Sequence, residues 1–244
     1  MGMVRNMSRQ VRKQKPKREI KEKFMEERHS RPQLQPKTDM QRRYIESITN
    51  FTQTISLGCA GTGKTYIAST MAAALYMQGK VNKIILTRPN VPSSRSLGSF
   101  PGTLEEKMAP WTAPVVEVLK NYMGGAYENA VRSGAIIVSP FETMRGSSFK
   151  DAFVIMDEAQ NTTPEEMKMF TTRIGENCHI VINGDIKQSD IRSTSGLSTI
   201  IKLAQRFNLP VPVIEFTIDD VVRSPECKMW IQAFDRSEEA MVAL

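Results

Sequence analysis

Eight consecutive residues, Gly58-Cys59-Ala60-Gly61-Thr62-Gly63-Lys64-Thr65, carry the chemistry with the clearest requirement. They satisfy G-x-x-x-x-G-K-[ST], a spacing that serves phosphate when it follows a strand and opens a helix. The glycines allow backbone angles and close approaches that a Cβ forbids, so successive N–H groups turn inward toward a phosphate. The helix that begins at Lys64 adds its positive dipole end. Lys64 reaches the β- and γ-phosphates, and the Thr65 hydroxyl is a ligand for Mg²⁺. Tyr66, next on the helix, completes the expected contacts to ATP.

A second constellation closes the run Val154-Ile155-Met156-Asp157-Glu158. An acid at the carboxyl end of a parallel strand falls beside the phosphate loop, where Asp157 holds the metal with Thr65. Glu158 is then placed to orient and deprotonate water, which turns nucleotide binding into hydrolysis; the alternative is a helix-capping or solvated carboxylate. A third run, Ile182-Asn183-Gly184-Asp185, is followed by Gln188. Either Asn183 or Gln188 is suited to sensing the γ-phosphate, and a plain Asn-Gly-Asp turn is the competing account. No Asn-Lys-x-Asp element marks a guanine-specific site, and the Asp-Glu pair without an Arg-rich lid argues against a small-molecule kinase. A phosphotransferase and an ATP-controlled nucleic-acid-binding or assembly protein remain the rival readings.

These residues need strands that end at one edge and helices that begin there. Short apolar runs at Thr54–Leu57, Lys83–Thr87, Ala135–Val138, Phe153–Met156, His179–Ile182 and Val211–Thr217 read as strands. Helical stretches are expected from Thr38, where Met40, Tyr44, Ile45 and Ile48 recur at helical spacing, and over Lys64–Met77, Leu104–Tyr122, Pro164–Ile174 and Ser195–Arg206. Thr163 with Glu166 forms a capping box ahead of Pro164. Strands alternating with helices predict an α/β fold: one mostly parallel sheet with helices on both faces. The Pro/Ser/Gly-rich stretch Asn90–Gly102 is a long loop at the edge where ligands sit, either functional or simply a surface connection.

With 244 residues the chain has room for one catalytic domain, set at 38–244, and no apolar run approaches a membrane span. The net charge of +7 is concentrated: residues 1–38 hold 12 basic and four acidic side chains, leaving the remainder close to neutral. Residues 1–37 therefore read as a basic, flexible arm that either attracts a phosphate backbone or serves as a solvated tail. The arm lacks the apolar core of a signal peptide. Cys59, Cys178 and Cys227, odd in number and far apart, fit a reducing cytoplasm and no metal site.

Taken together, the motifs resemble the PhoH-like family, whose ATPase core is similar to the first RecA-like domain of superfamily 1 helicases. The likeness runs from about Gln41 to Arg223 through Gly61-Thr-Gly-Lys-Thr65, Thr87-Arg88-Pro89, Leu97-Gly98, Pro101-Gly102 with Glu106-Lys107, Met144-Arg145-Gly146, Asp157-Glu-Ala-Gln-Asn161 to Phe170, Gly184-Asp185 with Gln188, and Asp220-Val-Val-Arg223. The resemblance implies a RecA-like P-loop ATPase coupled to single-stranded RNA or DNA. In it, Gln160 and Gln188 link phosphate state to the nucleic acid, Thr87–Pro89 lies along that surface, and Gln41 stands where such enzymes read adenine. Cys59 or Ala60 replaces a common proline, and Ser147 replaces an arginine. Because a superfamily 1 helicase closes its site between two such domains and one is present here, the resemblance also implies a ring, a homohexamer, with an arginine supplied in trans. Arg223 leads the candidates, ahead of Arg192 and Arg145; a local ion pair with Asp219 or Asp220 is its alternative role.

Overall fold

A computed structural model describes residues 33–89, 104–144, 148–189 and 194–242. The arm through residue 32, the loop at 90–103, Arg145 and Arg192 lie outside the described residues. The compact unit begins at Leu34.

The elements in chain order are α1 (Asp39–Asn50), β1 (Gln53–Leu57), α2 (Lys64–Met77), β2 (Lys83–Arg88), α3 (Leu104–Met123), α4 (Ala126–Arg132), β3 (Ile136–Pro140), β4 (Ala152–Met156), α5 (Pro164–Thr171), β5 (Cys178–Gly184), α6 (Gly196–Arg206), β6 (Val213–Glu215) and α7 (Pro225–Val242). All six strands pair in parallel, in the order β3-β2-β4-β5-β1-β6. The expected α/β sheet is therefore present and wholly parallel. Every parallel step needs a crossover, and the helices that supply the crossovers cover both faces.

Alternation along the strands divides the core in two. Phe153 and Ile155 of β4 pack with Ala68, Ala72 and Ala73 of α2, Tyr44 and Ile48 of α1 and Leu119 of α3. Val154 and Met156 face the opposite way, onto Met167 and Phe170 of α5 and Leu197 and Ile201 of α6. The alanines on the buried side of α2 let its backbone approach the sheet closely, which fixes the helix N-terminus over the strand ends. Burial of these strand side chains is the main driving force, at roughly 1.5–3 kcal/mol for each large apolar residue.

Side-chain caps close the starts of α1 and α5. Thr38 caps α1 by accepting from the Gln41 N–H, and both bonds of the Thr163–Glu166 capping box form, at 2.7 and 3.2 Å. Several boundaries differ from the periodicity. Helix α5 ends at Thr171 instead of Ile174, because Arg173 and Ile174 are drawn to Phe149, through a backbone bond and an isolated parallel bridge. Strand β6 keeps only Val213–Glu215 of the apolar run Val211–Thr217, because Thr217 is used to cap a 3-10 turn at Ile218–Asp220. Helices α4 and α7 are additions to the expected set, and Met229, Trp230 and Phe234 on α7 are exposed.

Candidate functional site

The register places the chemistry at one edge. Leu57 of β1 pairs with Gly184 of β5 and Glu215 of β6, and Met156 of β4 pairs with Thr87 of β2, so the loops that follow these strands open side by side. At β1 the chain turns through Gly58, Gly61 and Gly63, all at positive φ (128, 88 and 87°). A Cβ on Gly58 would overlap the Phe216 carbonyl, so this glycine is required by both angle and space. Thr62 is buried within the loop and donates to the Cys59 carbonyl.

Lys64 folds back over this cradle: its Nζ donates to the Gly58 and Cys59 carbonyls at 2.5 and 2.8 Å and to Thr62 Oγ1 at 3.3 Å. Burial lowers the ammonium pKa from the usual lysine range, against the pull of Asp185 and Asp157. A desolvated cation held mainly by carbonyl dipoles exchanges readily for a polyanion. Behind it, Thr65 Oγ1 lies 3.2 Å from Asp157 Oδ2. A hydroxyl and a carboxylate oxygen converging on one point fit a hard cation that takes its remaining ligands from water and phosphate. Burial, then the adjacent Glu158 carboxylate, raises the Asp157 pKa. A divalent cation bound beside it would relieve both effects.

Glu158 adopts a left-handed backbone, φ 56°, at the start of the 3-10 turn Ala159–Asn161. Strain of this kind in a non-glycine residue turns its side chain out of the strand direction. Gln160 Nε2 donates to Glu158 Oε2 at 2.6 Å and approaches the Gln188 carbonyl at 3.5 Å, while Gln160 Oε1 accepts from the Asp185 N–H at 3.0 Å. Gln160 is almost fully buried and thus ties the acid after β4 to the turn after β5. Arg88 stands 4.0 Å from the other Glu158 oxygen. Asn183 faces elsewhere: its Oδ1 accepts from Tyr44 Oη and Ser56 Oγ, both at 2.7 Å, deep in the sheet. Between the two residues suited to phosphate sensing, Gln188 is the one on the rim of the cleft.

The structure brings Gly58–Thr65, Asp157, Glu158 and Gln188 together. Tyr66 is exposed on α2. Gln41 is buried, with Nε2 donating to the Thr62 carbonyl, which ties α1 to the phosphate loop, and Oε1 accepting from the Lys37 N–H, which ties α1 to the segment before it. Thr87 and Pro89 are buried and Arg88 half-buried. Arg223 lies against the loop of its own chain: a Cβ on Gly61 would meet its Cγ at 2.8 Å, and the preceding Val222 N–H donates to the Gly61 carbonyl. Neither Asp219 nor Asp220 pairs with it among the described residues; Asp220 is used instead in capping Thr217. Sequence reasoning missed Tyr44 and Ser56 as polar partners and Asp235 of α7 as a neighbour of the loop. Tyr44 reads as one more apolar position in the α1 stripe, and Asp235 is far from every motif in the chain.

A glycine loop joining an inner parallel strand to a helix, faced across β5 by paired carboxylates, defines the P-loop class of nucleotide-binding folds. Within that class the chain belongs to the PhoH-like family: the model of that family, described as PhoH-like protein, matches residues 33–235. A PhoH-like protein of Bacillus subtilis (strain 168) is 39% identical over 206 residues, covering 83% of this chain and 64% of the relative. Protein PhoH of Escherichia coli (strain K12) is 37% identical over 203 residues, covering 81% and 57%. The chain thus spans about three fifths of the length of these relatives. Among solved structures, the UvsW helicase from bacteriophage T4 aligns with a TM-score of 0.47 at 13% identity, over 75% of this chain and 61% of that one. No helix of the described residues is long and apolar enough to cross a membrane.

Proposed function

We propose that this chain hydrolyses ATP in a magnesium-dependent reaction coupled to single-stranded RNA or DNA. The observation that carries the reading is the convergence of Thr65 Oγ1 and Asp157 Oδ2 beside a glutamate whose carboxylate is held by Gln160. Thr65 and Asp157 would hold the cation, which supplies charge neutralisation at the phosphates. Lys64 leaves the Gly58 and Cys59 carbonyls for the β- and γ-phosphates. Glu158 accepts the proton of the attacking water, and Gln160 fixes the oxygen that does so. The absence of an Asn-Lys-x-Asp element favours adenine over guanine.

Contact of Arg223 with its own loop supports a role on the nucleotide of the same chain, which stands beside the proposed service in trans to a neighbouring subunit. A homohexameric ring then rests on the family resemblance, and sizing with and without nucleotide tests it. The domain division at 37/38, the basic arm as a nucleic-acid contact and a cytoplasmic location belong to the same reading; the three free cysteines agree with the last.

Phosphate release, measured alone and with single-stranded RNA and DNA, decides the matter for the native chain, Lys64→Ala and a chain lacking residues 1–37. Loss of release in Lys64→Ala and stimulation by one nucleic acid support the reading. Activity in Lys64→Ala would overturn the site, and indifference to both nucleic acids would overturn the coupling. Truncation is expected to flatten the salt dependence of stimulation.

A further inference from the structure

Lys187 precedes Gln188 on the turn after β5, and its ammonium meets the Asp235 carboxylate of α7 at 2.7 Å. The pair lines a cleft of about 690 Å³ that Gly58, Cys59 and Ala60 also wall. Asp235 is felt at that wall: after burial and against the pull of Lys64, Asp185 and Asp235 both raise the Cys59 thiol pKa. A polyanion seated on the loop would therefore meet a repelling carboxylate and an attracting ammonium at one place. An ion pair cannot satisfy both a carboxylate and a phosphate with one cation.

Helix α7 is lightly held where it carries Asp235. Ile231 and Phe234 line the cleft, but Met229, Trp230 and Phe234 are 56, 60 and 64% exposed. A further polar tie is Lys228 Nζ to the Asp219 carbonyl at 3.2 Å, near the start of the helix. An exposed ion pair contributes only about 0–1 kcal/mol. Exchange of partners by Lys187 therefore costs the fold little.

We propose that Lys187 leaves Asp235 for the terminal phosphate of a bound nucleoside triphosphate, so that this pair distinguishes triphosphate from diphosphate and frees α7 from the cleft. The inference rests on the proposed triphosphate site. The terminal phosphate is the one concerned because the Lys187 turn is joined through the Gln188 carbonyl and Gln160 to Glu158, the hydrolytic side. A diphosphate held by Lys64 and the start of α2 leaves the Lys187–Asp235 pair intact.

Calorimetric titration with ATPγS and with ADP, both with magnesium, tests the exchange. Lys187→Ala removes the cation and leaves Asp235 facing the phosphates, so ATPγS binding should weaken about tenfold, the range of one charge-assisted bond. Asp235→Asn frees the cation and removes the repulsion, so ATPγS binding should tighten by about threefold to fivefold. ADP binding should change by less than about twofold in both, and Lys187→Arg should keep the native ratio of the two affinities. Opposite signs from the two ends of one ion pair are the signature, because a strap that only holds α7 in place gives the same sign from either end. Same-sign effects, or equal effects on ATPγS and ADP, would overturn the exchange. Trp230 emission should change with ATPγS and not with ADP, a response absent in Trp230→Phe; no nucleotide-dependent change would overturn the release of α7. Native protein that binds ATPγS and loses it in Lys64→Ala upholds the parent site even where these outcomes fail, whereas native protein that binds neither nucleotide ends both.

Discussion

The floor and the rim of the cleft are built on different principles. On the floor, Gly58, Gly61 and Gly63 sit at angles only glycine adopts readily, Gln41 grips Thr62, and Lys64 and Asp157 are held against the cost of desolvation. On the rim, Lys187 and the aromatic side chains of α7 are exposed, Asp235 is half-buried, and an ion pair joins Lys187 to Asp235. The floor is over-determined and keeps its shape without ligand. The rim is tied loosely enough for a charged ligand to reset it.

The largest effect should come from the floor. Lys64→Ala is expected to lower kcat/KM for ATP by about 10²–10³, the scale for removing a preorganised charge from a transition state, as read by phosphate release. Gly58→Ala, which forces a Cβ onto the Phe216 carbonyl, should lower the urea-unfolding free energy by about 3 kcal/mol. A loss below roughly 1 kcal/mol in that measurement would show that the floor yields more than its packing suggests.

Gln160→Ala separates floor from rim. Steady-state kinetics should show kcat falling about 30-fold while nucleotide affinity holds, as expected when a positioning residue and not a binding residue is removed. A rise in KM with unchanged kcat would move Gln160 from the chemistry to the binding of nucleotide.

Asp157→Asn tests the desolvation cost. The folded-state pKa of Asp157 is raised, so its contribution to stability is full below the unfolded carboxylate value and is lost as pH rises through the folded one. At neutral pH the asparagine variant should therefore melt higher than the native chain, by about 2–4 °C, while losing hydrolysis. The difference should vanish below about pH 4, once the carboxylate is protonated in both states. An equal or lower melting temperature at pH 7 would mean that the Thr65 bond and Lys64 already compensate the burial.

The smallest effect belongs to the rim. Trp230→Ala should shift the unfolding free energy by less than about 0.5 kcal/mol, because its ring is already largely in water. A larger loss would show α7 to be as firmly held as the floor.

The phosphate loop, the Asp157–Glu158 pair, the Thr163 cap and the parallel α/β architecture were legible in the sequence, because each depends on residues within about eight positions of one another or on strand periodicity. The resemblance named the family that the residue 33–235 match then showed. Roles that depend on distant segments meeting were not legible. Gln41 as a brace for Thr62, Tyr44 and Ser56 as partners of Asn183, and Arg223 against its own Gly61 join residues from 21 to 162 positions apart. Helix α7 was not among the expected elements, and its Asp235 acquires meaning only from Lys187, 48 residues earlier. The sequence by itself determined the glycine loop and its lysine at Gly58–Thr65, a geometry suited to phosphate, since backbone angles and a cation at fixed spacing suffice for that. Only the tertiary structure decided which side chains surround the cradle, because charge and burial act through space while spacing acts along the chain.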